Sequence, residues 1–164
     1  MENVEKNQVL QTLIGYLDED KWSYNVDVDS ITASVLINKA YPTVNLQIVA
    51  KDTSYDIFVS SGRKVNEEDK VSVMEFLTRA NNILARGLFQ FDIDKGEYRF
   101  KSYYDCHENV FSKDQFVASI VKPVLFFCRY DSWIGKVISG ELTASEAALK
   151  AEDMSLAMLF SKDK

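Results

Sequence analysis

Val73-Met-Glu-Phe-Leu-Thr-Arg-Ala-Asn-Asn-Ile-Leu-Ala-Arg-Gly-Leu-Phe-Gln-Phe-Asp-Ile-Asp94 changes its hydrophobic period at Gly87. Before the glycine, Val73, Phe76, Leu77, Ala80, Ile83 and Leu84 recur at helical spacing. After it, Phe89, Phe91 and Ile93 alternate with other residues, as on one face of a strand. Asn66 is a candidate N-cap, and Glu67, Glu68 and Asp69 place negative charge in the first turn, so the helix is expected to begin near Glu67. Arg86 suits its last turn and Gly87 its stop. Asp94-Lys95-Gly96 then turns the chain into a second strand, Glu97 to Tyr104.

The same two periods organise the rest. Upstream, Leu10, Leu13, Ile14 and Leu17 mark an amphipathic helix, stopped by Asp18-Glu19-Asp20. Period-two stretches follow at Trp22 to Val28, Thr32 to Ile37, Val44 to Ala50 and Tyr55 to Val59, giving three or four strands of an antiparallel meander. Downstream, Ser112 and Gln115 form a capping box, and Phe111 is placed to pack on Phe116 as a staple. The helix they open runs through Ile120, Val124 and Phe127 to Ile138, and Gly140 ends it. Pro123 inside it lacks an N–H and crowds the Ser119 carbonyl, which predicts a kink or interruption. Thr143 and Glu146 make a second capping box, for an alanine-rich helix continuing toward Phe160 through Met154, Met158 and Leu159.

Strand runs separated by single helices predict an α+β fold: a single twisted, mostly antiparallel sheet with helices packed on one face. The expected order is α-β-β-β-α-β-β-α plus a C-terminal helix. Residues 1–140 form the domain and residues 141–164 a helical extension.

At 164 residues, with 46% apolar and 27% charged residues, the chain suits one domain with a real core. A net charge of −6 and the lack of any basic run argue against nucleic acid as a partner. The apolar runs are too short to span a membrane, and Met1-Glu-Asn-Val-Glu-Lys6 does not read as a secretory leader. The protein is therefore expected in the cytoplasm, with Cys106 and Cys128 reduced and buried.

This order resembles that of the YbjN-like family and of the structurally related class I type III secretion chaperones. A helix with Phe76-Leu-x-x-Ala-Asn81, ending at Gly87 and feeding a strand of aromatics and acids, is similar to the YbjN-like pattern. The architecture matches over residues 1–138, the sequence mainly over residues 73–104. The resemblance implies a non-catalytic bacterial protein. YbjN-like proteins are described as regulators of sensory transduction. The related chaperones are dimers that hold an extended segment of another protein. A homodimer with a protein partner is the corresponding expectation here.

Motifs for chemistry are sparse. Cys106-His107-Glu108 sets thiol, imidazole and carboxylate side by side, but adjacent residues rarely converge on one metal or substrate. Ser61-Gly-Arg-Lys64 has too little glycine for a phosphate loop and reads as a turn out of a strand. Asp92 and Asp94 beside a turn read as solvated. Asn81, a poor helix former inside an apolar pattern, is expected to hydrogen-bond backbone at a helix–sheet junction. No catalytic residue, cofactor or metal is expected.

Tyr98, Phe100, Tyr103 and Tyr104 occupy both faces of one strand, so a sheet covered on one side cannot bury them all. Together with Phe126, Phe127, Tyr130 and Trp133 they are the expected dimer or partner surface, to which Trp22 and Tyr24 add. Three functions stay open: a protein-binding adaptor with an exposed groove or sheet edge; a sensor with a pocket lined by Phe76, Tyr98 and Phe127; an enzyme with a cleft near Cys106 and His107. The adaptor is the leading reading, with the third helix and the C-terminal helix forming its surface.

Overall fold

A computed structural model describes residues 7–36, 39–106 and 111–160, without the side chains of 154–160. Its order is α1 (Gln8–Glu19), β1 (Tyr24–Asp27), β2 (Ser30–Val35), β3 (Val44–Ala50), β4 (Ser54–Ser60), a 3-10 turn (Glu67–Asp69), α2 (Lys70–Asn81), β5 (Leu88–Asp92), β6 (Glu97–Asp105), α3 (Lys113–Ile138) and α4 (Ala144–Phe160). The six strands form one antiparallel sheet in the order β1-β2-β3-β4-β6-β5. The protein is thus α+β with helices on one face of a sheet, and four strands rather than three precede α2.

The register explains the layering. Ala33, Leu46, Val59, Phe100 and Phe89 align across five strands, and all but the half-buried Ala33 are fully buried. Their chain neighbours Thr32, Asn45 and Arg99 point to the other face and are exposed. This is the period-two alternation of a sheet with one covered side. α3 lies over β4 and β6, and α2 lies against β5, α3 and α4.

The helix termini follow the sequence in part. The Ser112–Gln115 box closes reciprocally, at 3.2 and 2.8 Å, and Thr143 and Glu146 do the same at 3.2 and 2.9 Å. Phe111 and Phe116 both pack on Tyr16 and Tyr55. α3 runs unbroken through Pro123, which is buried, so the expected interruption does not occur. α2 is shorter than expected at both ends. Its N-terminal acids form the 3-10 turn, and Ile83 to Gly87 lie beyond its C-terminus. Trp22 precedes β1 and is not part of a strand. α4 folds back on α2 and α3, with Ala147 and Ala151 fully buried, so the C-terminal helix shares the domain's core. Ile37, His107, Glu108 and the side chains of Met154, Met158, Leu159 and Phe160 lie outside the described residues.

Candidate functional site: the uncovered face of the sheet

Helices cover one side of the sheet, which leaves a broad concavity of about 1010 Å³ on the other. Strand register sets its floor. Asn25, Thr32, Gln47, Phe58, Lys101 and Leu88 form one row across all six strands. Ser34, Asn45 and Ser60 form the next, and Gln90 and Arg99 pair beyond them. Amides and hydroxyls dominate this surface.

Its centre is cationic. Arg99 lies 4.1 Å over the Phe58 ring and donates to the Gln90 side chain at 2.8 Å. Lys101 stands 5.5 Å from the same ring. Lys101 and Lys51 share Oδ2 of Asp56, at 3.3 and 2.9 Å. Asp56 is buried beneath them, and its Oδ1 has no hydrogen-bond partner among the described residues. Two lysines therefore share one carboxylate, with Arg99 on the neighbouring Phe58 ring, a local cluster of positive charge, while Asp92 and Glu97 line the concavity's rim. Tyr103, 57% exposed, lies beside Lys51 on this face.

Of the aromatics expected on a partner surface, only Tyr103 is exposed. Tyr98, Phe100, Phe127 and Tyr130 are buried, which corrects their assignment to that surface. The reason is the helix layer. Phe127 stacks on Tyr98, Phe126 on Phe100, and Tyr130 packs between Phe76 and Phe89. Tyr104, Phe126 and Trp133 are half-buried against the core, as are Trp22 and Tyr24. Lys136 covers the Trp133 ring at 5.1 Å. Phe76, Tyr98 and Phe127 are buried, with Tyr98 stacked on Phe127, so they do not enclose a pocket together. A hollow of about 500 Å³ lies elsewhere on the helix side, between Tyr55, Phe100 and Tyr104 of the sheet and the N-terminal half of α3.

Asn81 does what its place in the sequence predicts. Its side chain accepts from the Phe89 amide at 2.7 Å and donates to the Phe89 carbonyl at 3.0 Å. Phe89 pairs with β6 on its other side, so the Asn81 amide acts as a one-residue strand on the outer edge of β5. The opposite edge, β1, keeps a short exposed strand.

The remaining candidates for chemistry are structural. Asp92 accepts from the Lys95 amide at 3.1 Å, a bond that holds its carboxyl below the usual range and shapes the hairpin turn. Ser61 and Arg63 both bond Asp131 of α3, at 3.2 and 3.1 Å, and Tyr98 donates to the same carboxylate. Arg63 is thus committed to a buried acid. Burial and the Asp131 bond raise the Tyr98 pKa well above the usual tyrosine range, so its hydroxyl stays a donor. Burial also pushes the Cys106 and Cys128 thiols up, away from the thiolate form a nucleophile needs. Among the described residues no three His, Cys, Asp or Glu side chains cluster as a metal site. No helix among them is long and apolar enough to cross a membrane.

Sequence reading missed Asp131 and Asp56. Asp131 had a signal: it follows Phe127 by four residues and precedes Ile134 by three, on the apolar stripe of α3. Asp56 had none, because it occupies a solvent-face position covered by Lys51 across the β3–β4 turn and by Lys101 on a distant strand.

No protein-family model, curated protein or solved structure matches this chain.

Proposed function

We propose that this protein is a non-catalytic binding module that holds an extended segment of another protein against the uncovered face of its sheet. The supporting observation is that face: broad, open, lined by Asn25, Thr32, Asn45, Gln47 and Gln90, with Arg99 and Lys101 around Phe58 at its centre. Side-chain amides and hydroxyls match the alternating donors and acceptors of a peptide backbone. Six strands at ~4.8 Å spacing make a surface roughly 24 Å across, the span of about seven extended residues. The positive charge at its centre favours a segment with acidic side chains. It is too small for the phosphate contacts that nucleic-acid binding requires.

The element order and the Phe76–Asn81 pattern support placing the protein near YbjN-like regulators and type III secretion chaperones. A homodimer in the bacterial cytoplasm is part of the same reading. Val71 and Met74 on α2 and Leu149 on α4, all exposed, supply apolar surface for pairing away from the sheet face. Light scattering on the Val71→Glu, Leu149→Glu variant tests it: a monomer is expected, and an unchanged dimer would remove that surface.

Affinity capture from the native cell tests the binding face. Wild type is compared with an Arg99→Glu, Asn45→Trp variant, both positions being exposed. A recurrent protein partner should be lost from the variant while its circular dichroism stays that of wild type. A partner held equally by both would overturn the assignment to this face.

A further inference from the structure

We infer that the hollow on the helix side of the sheet binds a small aromatic carboxylate. This does not rest on the sheet-face reading, since the two surfaces lie on opposite sides of β4 and β6.

The hollow, about 500 Å³, falls within the ~300–1,000 Å³ range typical of small-molecule sites. Its walls are rings. Tyr55 and Tyr104 stack at 5.2 Å and 18°, and Phe100 and Phe126 stack at 6.3 Å and 25°. Phe111 closes one end, 5.5 Å from Tyr55. A hollow lined by five aromatic rings favours a flat aromatic occupant over a branched chain. The buried Ser102 hydroxyl sits on the same strand face between Phe100 and Tyr104.

The charge of the occupant follows from the rim. Arg86 and Lys122 line the hollow, are exposed, and form no ion pair among the described residues. Asp105 lines it as well, so among the described residues the rim carries two cations to one carboxylate, which favours an anion. Tyr104 supplies a further donor. Burial raises its pKa, and the Ser102 hydroxyl and then Arg86 only partly oppose the rise, so the hydroxyl remains protonated. A carboxylate between Arg86, Lys122 and the Tyr104 hydroxyl would receive charge-assisted hydrogen bonds while its ring enters between the aromatic walls. The buried Cys106 thiol also lies in the wall, its pKa pushed up by burial.

Isothermal titration with naphthalene carboxylate as probe tests this, with naphthalene methanol as its neutral counterpart. Saturable one-to-one binding of the acid is expected, at least about tenfold tighter than the alcohol. The Arg86→Ala, Lys122→Ala variant should lose about tenfold for the acid and leave the alcohol unchanged, a pattern that a folding defect would not give. Ala118→Trp, at a half-exposed wall position of α3, should fill the hollow and abolish both. Arg99→Glu, on the opposite face, should change neither. The proposal is overturned if the wild type gives no saturable heat, if acid and alcohol bind alike, or if the double alanine variant retains full affinity. It is also overturned if a peptide ending in a free phenylalanine carboxylate outcompetes the naphthalene acid, since the site would then read chain termini.

Discussion

Replacing Asn81 by alanine removes both hydrogen bonds to Phe89, at 2.7 and 3.0 Å, without touching the core packing of α2. Each bond contributes about 1 kcal/mol net, so about 2 kcal/mol is lost from the bonds alone. Phe89 is only 4% exposed, so its freed N–H and C=O are poorly placed to find water. An unsatisfied buried group costs about 1–3 kcal/mol, which raises the total toward 4. Alanine's better helix propensity returns roughly 0.5 kcal/mol. The expected net destabilisation is therefore about 1.5–3.5 kcal/mol. Urea denaturation measures it, and native-state hydrogen exchange localises it: the Phe89 amide should lose protection ahead of the β3 and β4 amides. A variant within about 0.5 kcal/mol of wild type, with Phe89 still protected, would refute the edge-plug argument.

Asp131→Ala should cost about 3 kcal/mol by urea denaturation, because it leaves Tyr98, Ser61 and Arg63 without their shared acceptor; Tyr98→Phe, which removes one donor, should cost about 1. Gly96→Ala should destabilise by roughly 2 kcal/mol or more, since its φ is +67° and an added Cβ would strike the Val65 carbonyl oxygen. In a spectrophotometric alkaline titration Tyr55, pushed up to about 12 chiefly by burial, and Tyr24, raised to about 12 chiefly by its bond to Asp18, should ionise late, with Tyr98 later still. Unfolded tyrosines ionise near 10, so the unfolded chain releases these protons first. Stability should be intact below about pH 10 and fall as pH rises through 12; all eight tyrosines titrating together near 10 in the native protein would contradict the burial argument.

Strands were the most legible part of the chain, because a sheet covered on one side writes its burial into alternate residues. Val44, Leu46, Ile48 and Ala50 are all buried, as their spacing requires. The capping boxes at Ser112 and Thr143 were equally readable, since both partners lie within three residues. The end of α2 was not. Ile83 and Leu84 continue a helical pattern, yet Asn81 is the last helical residue and its side chain engages β5 instead. Such a tertiary bond leaves only the odd placement of Asn81 as a trace. The aromatics of β6 were read correctly as two-faced, which places Tyr103 opposite Tyr98 and Phe100. What sequence could not supply was which face the helices cover. The open face was harder still. Its floor comes from residues scattered over six strands, and no local motif marks Arg99 and Lys101 as neighbours of Phe58.

Crosslinking from defined positions tests the binding face most directly. A photo-reactive phenylalanine analogue is placed at Gln47, in the middle of the concavity, or at Val71, on the exposed side of α2 away from it. After irradiation in the native cell, Gln47 should yield a covalent adduct with a distinct second polypeptide through an acidic, extended segment, and Val71 should not. An adduct of that polypeptide at Val71 alone, or only adducts between two copies of this chain at Gln47, would contradict the account.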